Sequence, residues 1–261
     1  MRDKSKIVLG AQLFTLREVI TDKASCEKCL KAVADMGYKT VQLSAVPVGF
    51  ENPEWFRGLC DSLGLGIIST HNNFADMLTD EGLQRLIDTH KALGVTNMGI
   101  GFMPHVYHNK EGMYQFAALC NEIAKKVKAQ GIDLLYHNHR FEFEKFDGVT
   151  GMQILLEKAP ELMFLPDLYW VTAGGVNPID FLEMFKGRYN HLHYKDYGIR
   201  NNEHFICEIG RGNINYAAIT NYLMEQGIYD YVVEQDTCDG DPLVSLKQSI
   251  DYLQNELIPS L

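Results

Sequence analysis

The sequence predicts an α/β fold, a single (β/α)8 barrel domain over residues 1–261, on three observations. Amphipathic segments end in glycine with an apolar run two or three residues later, at Met36-Gly37-Tyr38, Leu63-Gly64-Leu65, Leu93-Gly94-Val95, Gln130-Gly131-Ile132 and Gln226-Gly227-Ile228. Glycine there takes the left-handed conformation that lets a chain leave a helix and enter a strand. Eight short runs, several nearly continuous in apolar residues, read as strands covered on both faces. The 261 residues, divided among eight units, give about 33 each, enough for one strand, one helix and two loops.

Along the chain, the first strand covers residues 6–13. A helix carrying Cys26, Cys29, Leu30 and Val33 follows, then a strand at 39–44. Asn52-Pro53 opens the next helix, with a capping side chain ahead of a proline suited to the first helical position. The third strand is 65–71. Thr79-Asp80-Glu81 starts a helix whose Leu83, Leu86, Ile87 and His90 share one face, and strand 95–101 comes after it. Glu111 precedes Met113, Phe116, Leu119 and Ile123, again near the helical period. Strands at 132–138, 162–167, 189–194 and 229–235 complete the eight, with helix starts at Asn177-Pro178 and Asp241-Pro242. The longest irregular segments, 45–51, 72–79, 102–110 and 195–213, each follow a strand. In a barrel such loops form the catalytic rim.

Composition narrows the function. Thirty-four acidic against 24 basic residues give a formal charge of -10, which repels a phosphate backbone, so no nucleic-acid partner is expected. No run approaches the roughly 18 apolar residues a membrane span needs, and no membrane partner is expected either. The start of the chain reads as a first strand rather than a secretory signal, which makes the expected location cytoplasmic. Six cysteines without a dense framework read as reduced thiols. Cys26 and Cys29, three apart on a helix, read as packing residues rather than a redox or zinc pair. A homo-oligomer is compatible with all of this.

Ionisable residues collect at the strand ends. The rim receives His71 from the third strand, His137-Asn138-His139 from the fifth and Asp167 from the sixth. The seventh adds His191 and His193, and the eighth adds Glu234 and Asp236. Folding alone gives no reason for polar groups to gather at one end of apolar strands. A set of Asp, His and Glu suits one divalent ion such as Mn²⁺, Co²⁺, Mg²⁺ or Zn²⁺.

The motifs that carry these residues make the chain resemble the xylose isomerase-like TIM barrel superfamily, in the sugar phosphate isomerase/epimerase group related to inosose dehydratases, ketose 3-epimerases and endonuclease IV. They are Gly10-Ala11-Gln12-Leu13-Phe14-Thr15-Leu16-Arg17, Ser69-Thr70-His71-Asn72-Asn73-Phe74, Tyr136-His137-Asn138-His139-Arg140-Phe141-Glu142-Phe143, Asp167-Leu168-Tyr169-Trp170, His191-Leu192-His193-Tyr194-Lys195-Asp196, Gly210-Arg211-Gly212 and Val233-Glu234-Gln235-Asp236. The resemblance implies metal ligation by Asp167, His193 and Glu234, with a fourth ligand from the fifth strand. The family carries Glu at that position, whereas this chain offers His137, His139 and Glu142, of which His137 is placed first. His191 is open between a supporting and a functional role.

The activity so implied is isomerisation or epimerisation of a small keto sugar or cyclitol. The ion would polarise the carbonyl and stabilise an enediolate as the neighbouring proton leaves. Glu234, His139 and Lys195 are the expected proton carriers, although Lys195 could instead pair with Asp196 or Glu234. His71, Glu142, Trp170 and Arg211 are expected to contact the substrate, with Phe14, Phe74, Phe102 and Tyr169 as further aromatic candidates near the rim. The glycines of Gly210-Arg211-Gly212 are read as shaping their loop. The runner-up is a lyase of the same superfamily, an inosose-type dehydratase or a 3-keto-glycoside eliminase. A sugar-binding protein without catalysis and a DNA repair endonuclease rank lower.

Overall fold

The computed structural model describes residues 3–261. Eight strands pair in parallel among them: β1 (Val8–Gln12), β2 (Thr40–Leu43), β3 (Gly66–Asn72), β4 (Asn97–Ile100), β5 (Asp133–His137), β6 (Met163–Leu165), β7 (His191–Tyr194) and β8 (Asp230–Val233). Each lies within one residue of its expected range. The described residues pack as two compact units, one formed by those up to 68 with 190–261, the other by 69–189.

In the first unit β1 pairs with β2 on one side and β8 on the other, and β8 pairs with β7. In the second, the end of β3 pairs with β4, β4 with β5, and β5 with β6. Parallel neighbours need crossovers, and helices supply them. Helix α1 (Lys23–Met36) is opened by a capping box between Asp22 and Ser25 and closed by Gly37 at φ 106°. Its Cys26 and Cys29 are buried, and burial pushes the Cys26 thiol up to about 12, so both are packing residues. Helix α2 (Asp80–Leu93) is capped by Thr79 and buries Leu83, Leu86, Ile87 and His90. All five punctuating glycines have positive φ.

Three local expectations fail. The segment 45–51 is not irregular throughout, since Pro47–Glu51 is helical. Asn52 does not cap the helix Pro53–Ser62, because a short helix at Pro47–Glu51 runs directly into it and the Asn52 amide instead donates to Val48 O at 3.0 Å. The segment 195–213 is not wholly irregular. Asp196–Arg200 and Glu203–Cys207 form an antiparallel hairpin through Asn201 and Asn202, at φ 53° and 65°, the mirror-image turn that asparagine tolerates. No helix among the described residues is long and apolar enough to cross a membrane.

Candidate metal centre

In the second unit, His137 ends β5 and Asp167 lies two residues beyond β6. The two loops are locked together: Asp167 N donates to Asn138 Oδ1 at 2.9 Å, and Asn138 Nδ2 donates back to Asp167 O at 3.3 Å. Asp167 Oδ1 accepts from Trp170 N at 3.0 Å and so caps the helix Leu168–Ala173. Its other oxygen, Oδ2, lies 3.3 Å from His137 Nε2. His137 Nδ1 lies 3.3 Å from the carbonyl of Gly101, which can only accept. A ring that ligates a cation through Nε2 would carry its proton on Nδ1, where the Gly101 carbonyl accepts it. Two electron-rich atoms so placed suit a cation, and an outward N–H held by a carbonyl is the usual support of a ligating histidine.

The first unit repeats the device. His193 on β7 and Glu234, the residue after β8, are both buried, with His193 Nδ1 2.8 Å from Glu234 Oε2. On its far side, His193 Nε2 lies 2.6 Å from Gln42 Oε1 on β2. A ring that ligates a cation through Nδ1 would carry its proton on Nε2, where the amide oxygen accepts it. Lys195, fully buried, places Nζ 2.8 Å from Glu234 Oε2 and 2.9 Å from Asp236 Oδ1, so a cation balances the two carboxylates. Its backbone is held by Tyr216, whose hydroxyl accepts from Lys195 N and donates to Lys195 O, both at 2.9 Å. Burial, and then the neighbouring His193, push the buried His191 down to about 3, and it stays neutral with Nδ1 2.6 Å from Asn190 Oδ1.

Residues 30–256 match the sequence model of the family described as xylose isomerase-like TIM barrel. The chain belongs to that family. Its eight parallel strands are those of the barrel, and the four residues lie at or just past the carboxyl ends of their strands, the face on which such barrels build active sites. Each offers one ligand atom, and all four are buried. No curated protein matches. A sugar phosphate isomerase/epimerase from Parabacteroides distasonis is 22% identical over 97% of both chains, with a TM-score of 0.78. The probable 3-DHS dehydratase from Bacillus anthracis is 11% identical, covering 96% of this chain and 100% of its own, at 0.77. A xylose isomerase-like TIM barrel protein from Mycobacterium smegmatis in complex with magnesium is 16% identical over 100% of both, at 0.73. At these identities the likeness is one of fold.

The other residues expected at the rim of this xylose isomerase-like barrel fall into distinct settings. His139 is half-buried, its ring 4.8 Å from that of His137 and 5.3 Å from that of Trp170. His71 stands with its ring 4.9 Å from His137. Glu142, a candidate both for the strand-5 ligand and for substrate contact, is fully buried. One of its oxygens accepts from Tyr136 OH at 2.5 Å, and both accept from His139 N at 3.0 Å. Burial raises its carboxyl to about 7, against the pull of those hydrogen bonds. These bonds tie Glu142 into the loop after β5 and leave His137 as the strand-5 residue facing Asp167.

Asp196, weighed above as a partner of Lys195, instead accepts backbone N–H groups from Tyr197, Gly210, Gly212 and Ile214. A Cβ on Gly212 would meet Asp196 Oδ1 at 2.3 Å, so glycine is required there for the loop to close around the carboxylate. Arg211 between the two glycines is exposed. The sequence reading overlooked Gln42. Its signal was a polar residue inside the otherwise apolar Val41-Gln42-Leu43, buried to 0%.

Proposed function

We propose that this chain is a divalent-metal-dependent isomerase or epimerase acting on a small keto sugar or cyclitol, with one ion held by His137, Asp167, His193 and Glu234. The observation that carries the reading is the repeated pairing of a histidine ring nitrogen with a buried carboxylate oxygen, at His137–Asp167 and at His193–Glu234. The family's barrel and the mixed nitrogen and oxygen donor set support it. An ion bound there supplies electrophilic polarisation of a substrate carbonyl and its neighbouring hydroxyl.

Glu234 takes the proton from the carbon beside that carbonyl. Lys195, 2.8 Å from its Oε2, orients the carboxylate. His139 carries the proton at the second position. Incubation of keto sugars, inosose and 3-keto-glycosides in D₂O with Mn²⁺, Co²⁺ or Mg²⁺ tests this. Solvent deuterium enters one carbon next to the carbonyl and stops entering after chelation. Turnover that survives complete chelation without exchange contradicts the reading.

A second reading, a lyase, is favoured by one feature. The fifth strand offers His137 where a symmetrical epimerase would place a second glutamate, so a single carboxylate base faces the substrate. Removal of the same proton followed by loss of a β-leaving group needs only one base, and an unsaturated product seen by absorbance or mass identifies that outcome.

A further inference from the structure

Three consecutive loops of the second unit, those after β4, β5 and β6, contribute rings to one continuous wall. At its centre is Phe102, which is 42% exposed. Its ring centroid lies 5.2 Å from those of His105 and His139, and 5.7 Å from those of His108 and Phe141. His108 stacks on Phe141 at 3.6 Å, and Trp170 joins through His139 at 5.3 Å. The wall begins at the candidate ligand His137, whose ring is 4.8 Å from His139.

Four neighbouring rings hold Phe102 in place, so a partly exposed aromatic face is fixed before any ligand arrives. The neighbours decide its chemistry. Three of them are histidines, which bring ring nitrogens to an otherwise apolar surface. That mixture suits a ring with an apolar face and a hydroxylated edge, which is a sugar, better than an alkyl chain or an apolar peptide. Two ring-to-ring steps, of 4.8 and 5.2 Å, lead from His137 through His139 to Phe102, so Phe102 lies beyond the candidate ligand along the wall.

We propose that Phe102, backed by His105, His108, His139, Phe141 and Trp170, forms a subsite for a second sugar ring, so that the keto sugar of the reading above is preferred when it carries a second, linked ring. The assignment of the outer ring rests on the reaction centre lying at His137 and Asp167, as proposed above. The affinity preference itself is measured without that centre working.

Chelated full-length protein is titrated calorimetrically with methyl glucoside as a one-ring probe and with cellobiose and maltose as two-ring probes. At least one two-ring probe binds about tenfold more tightly than methyl glucoside, the scale of one aromatic stacking contact. Phe102→Ala removes that preference and Phe102→Trp restores it. Equal affinities, no binding of either two-ring probe, or a preference that Phe102→Ala leaves intact would overturn the subsite. Failure to bind an ion in a separate titration, with the preference present, counts against the metal reading and leaves the subsite standing.

Discussion

His193 Nδ1 lies 2.8 Å from Glu234 Oε2 while the other nitrogen of the same ring is 2.6 Å from Gln42 Oε1. The glutamine oxygen is thus placed to accept a proton from Nε2, which would leave Nδ1 to ligate the proposed ion. Gln42→Leu removes the acceptor and keeps an apolar side chain in the buried strand. Ion affinity falls by about 10- to 100-fold, the usual cost of losing the partner behind a ligating histidine. Titration of chelated protein with Mn²⁺ reads the effect. Unchanged affinity would show that Gln42 does not set the tautomer.

Lys195→Met leaves the buried Glu234 and the partly exposed Asp236 without their shared cation. Asp236 keeps 26% of its side chain exposed, so the loss in metal-free protein falls near the lower end of the range for a broken buried pair, about 3 kcal/mol. Adding Asp236→Asn recovers part of it. Urea unfolding of the single and double variants measures both steps, and a single variant as stable as the parent removes the balancing role.

Glu142 gives the fold a pH dependence. Its carboxyl is raised from 4.5 to about 7 in the folded chain, mainly by burial. The unfolded chain therefore releases this proton first as pH rises. The stability contributed is fully present below about 4.5 and is lost as pH climbs through about 7. Glu142→Gln cannot ionise, so its stability relative to the parent improves between pH 5 and pH 8. Parallel urea curves for the two proteins across that range would refute the assignment.

The parts of this account that were legible in the sequence are local ones. A glycine after a helix and an apolar run behind it report on a few neighbouring residues; together they located five strands, and apolar runs alone the other three. Asp167 and Glu234 were visible for the same reason, as charges at the ends of apolar runs. What escaped depended on partners far along the chain. Gln42 means little until β7 brings His193 against it. Glu142 reads as a loop acid available to a metal or a substrate until Tyr136 and His139 N close over it. The hairpin was within reach, since Asn201-Asn202 between alternating residues is a turn signal, but its place in a long loop after β7 favoured an irregular reading.

The central claim is one ion held jointly by the two histidine–carboxylate pairs. The most direct test is the stoichiometry of Mn²⁺ or Co²⁺ binding to chelated protein, for the parent, Asp167→Asn and Glu234→Gln, with folding checked by circular dichroism. The account predicts one equivalent for the parent, and loss of that same equivalent in each variant while the fold is retained. No bound ion in the parent, or two ions of which each variant loses only one, would contradict it.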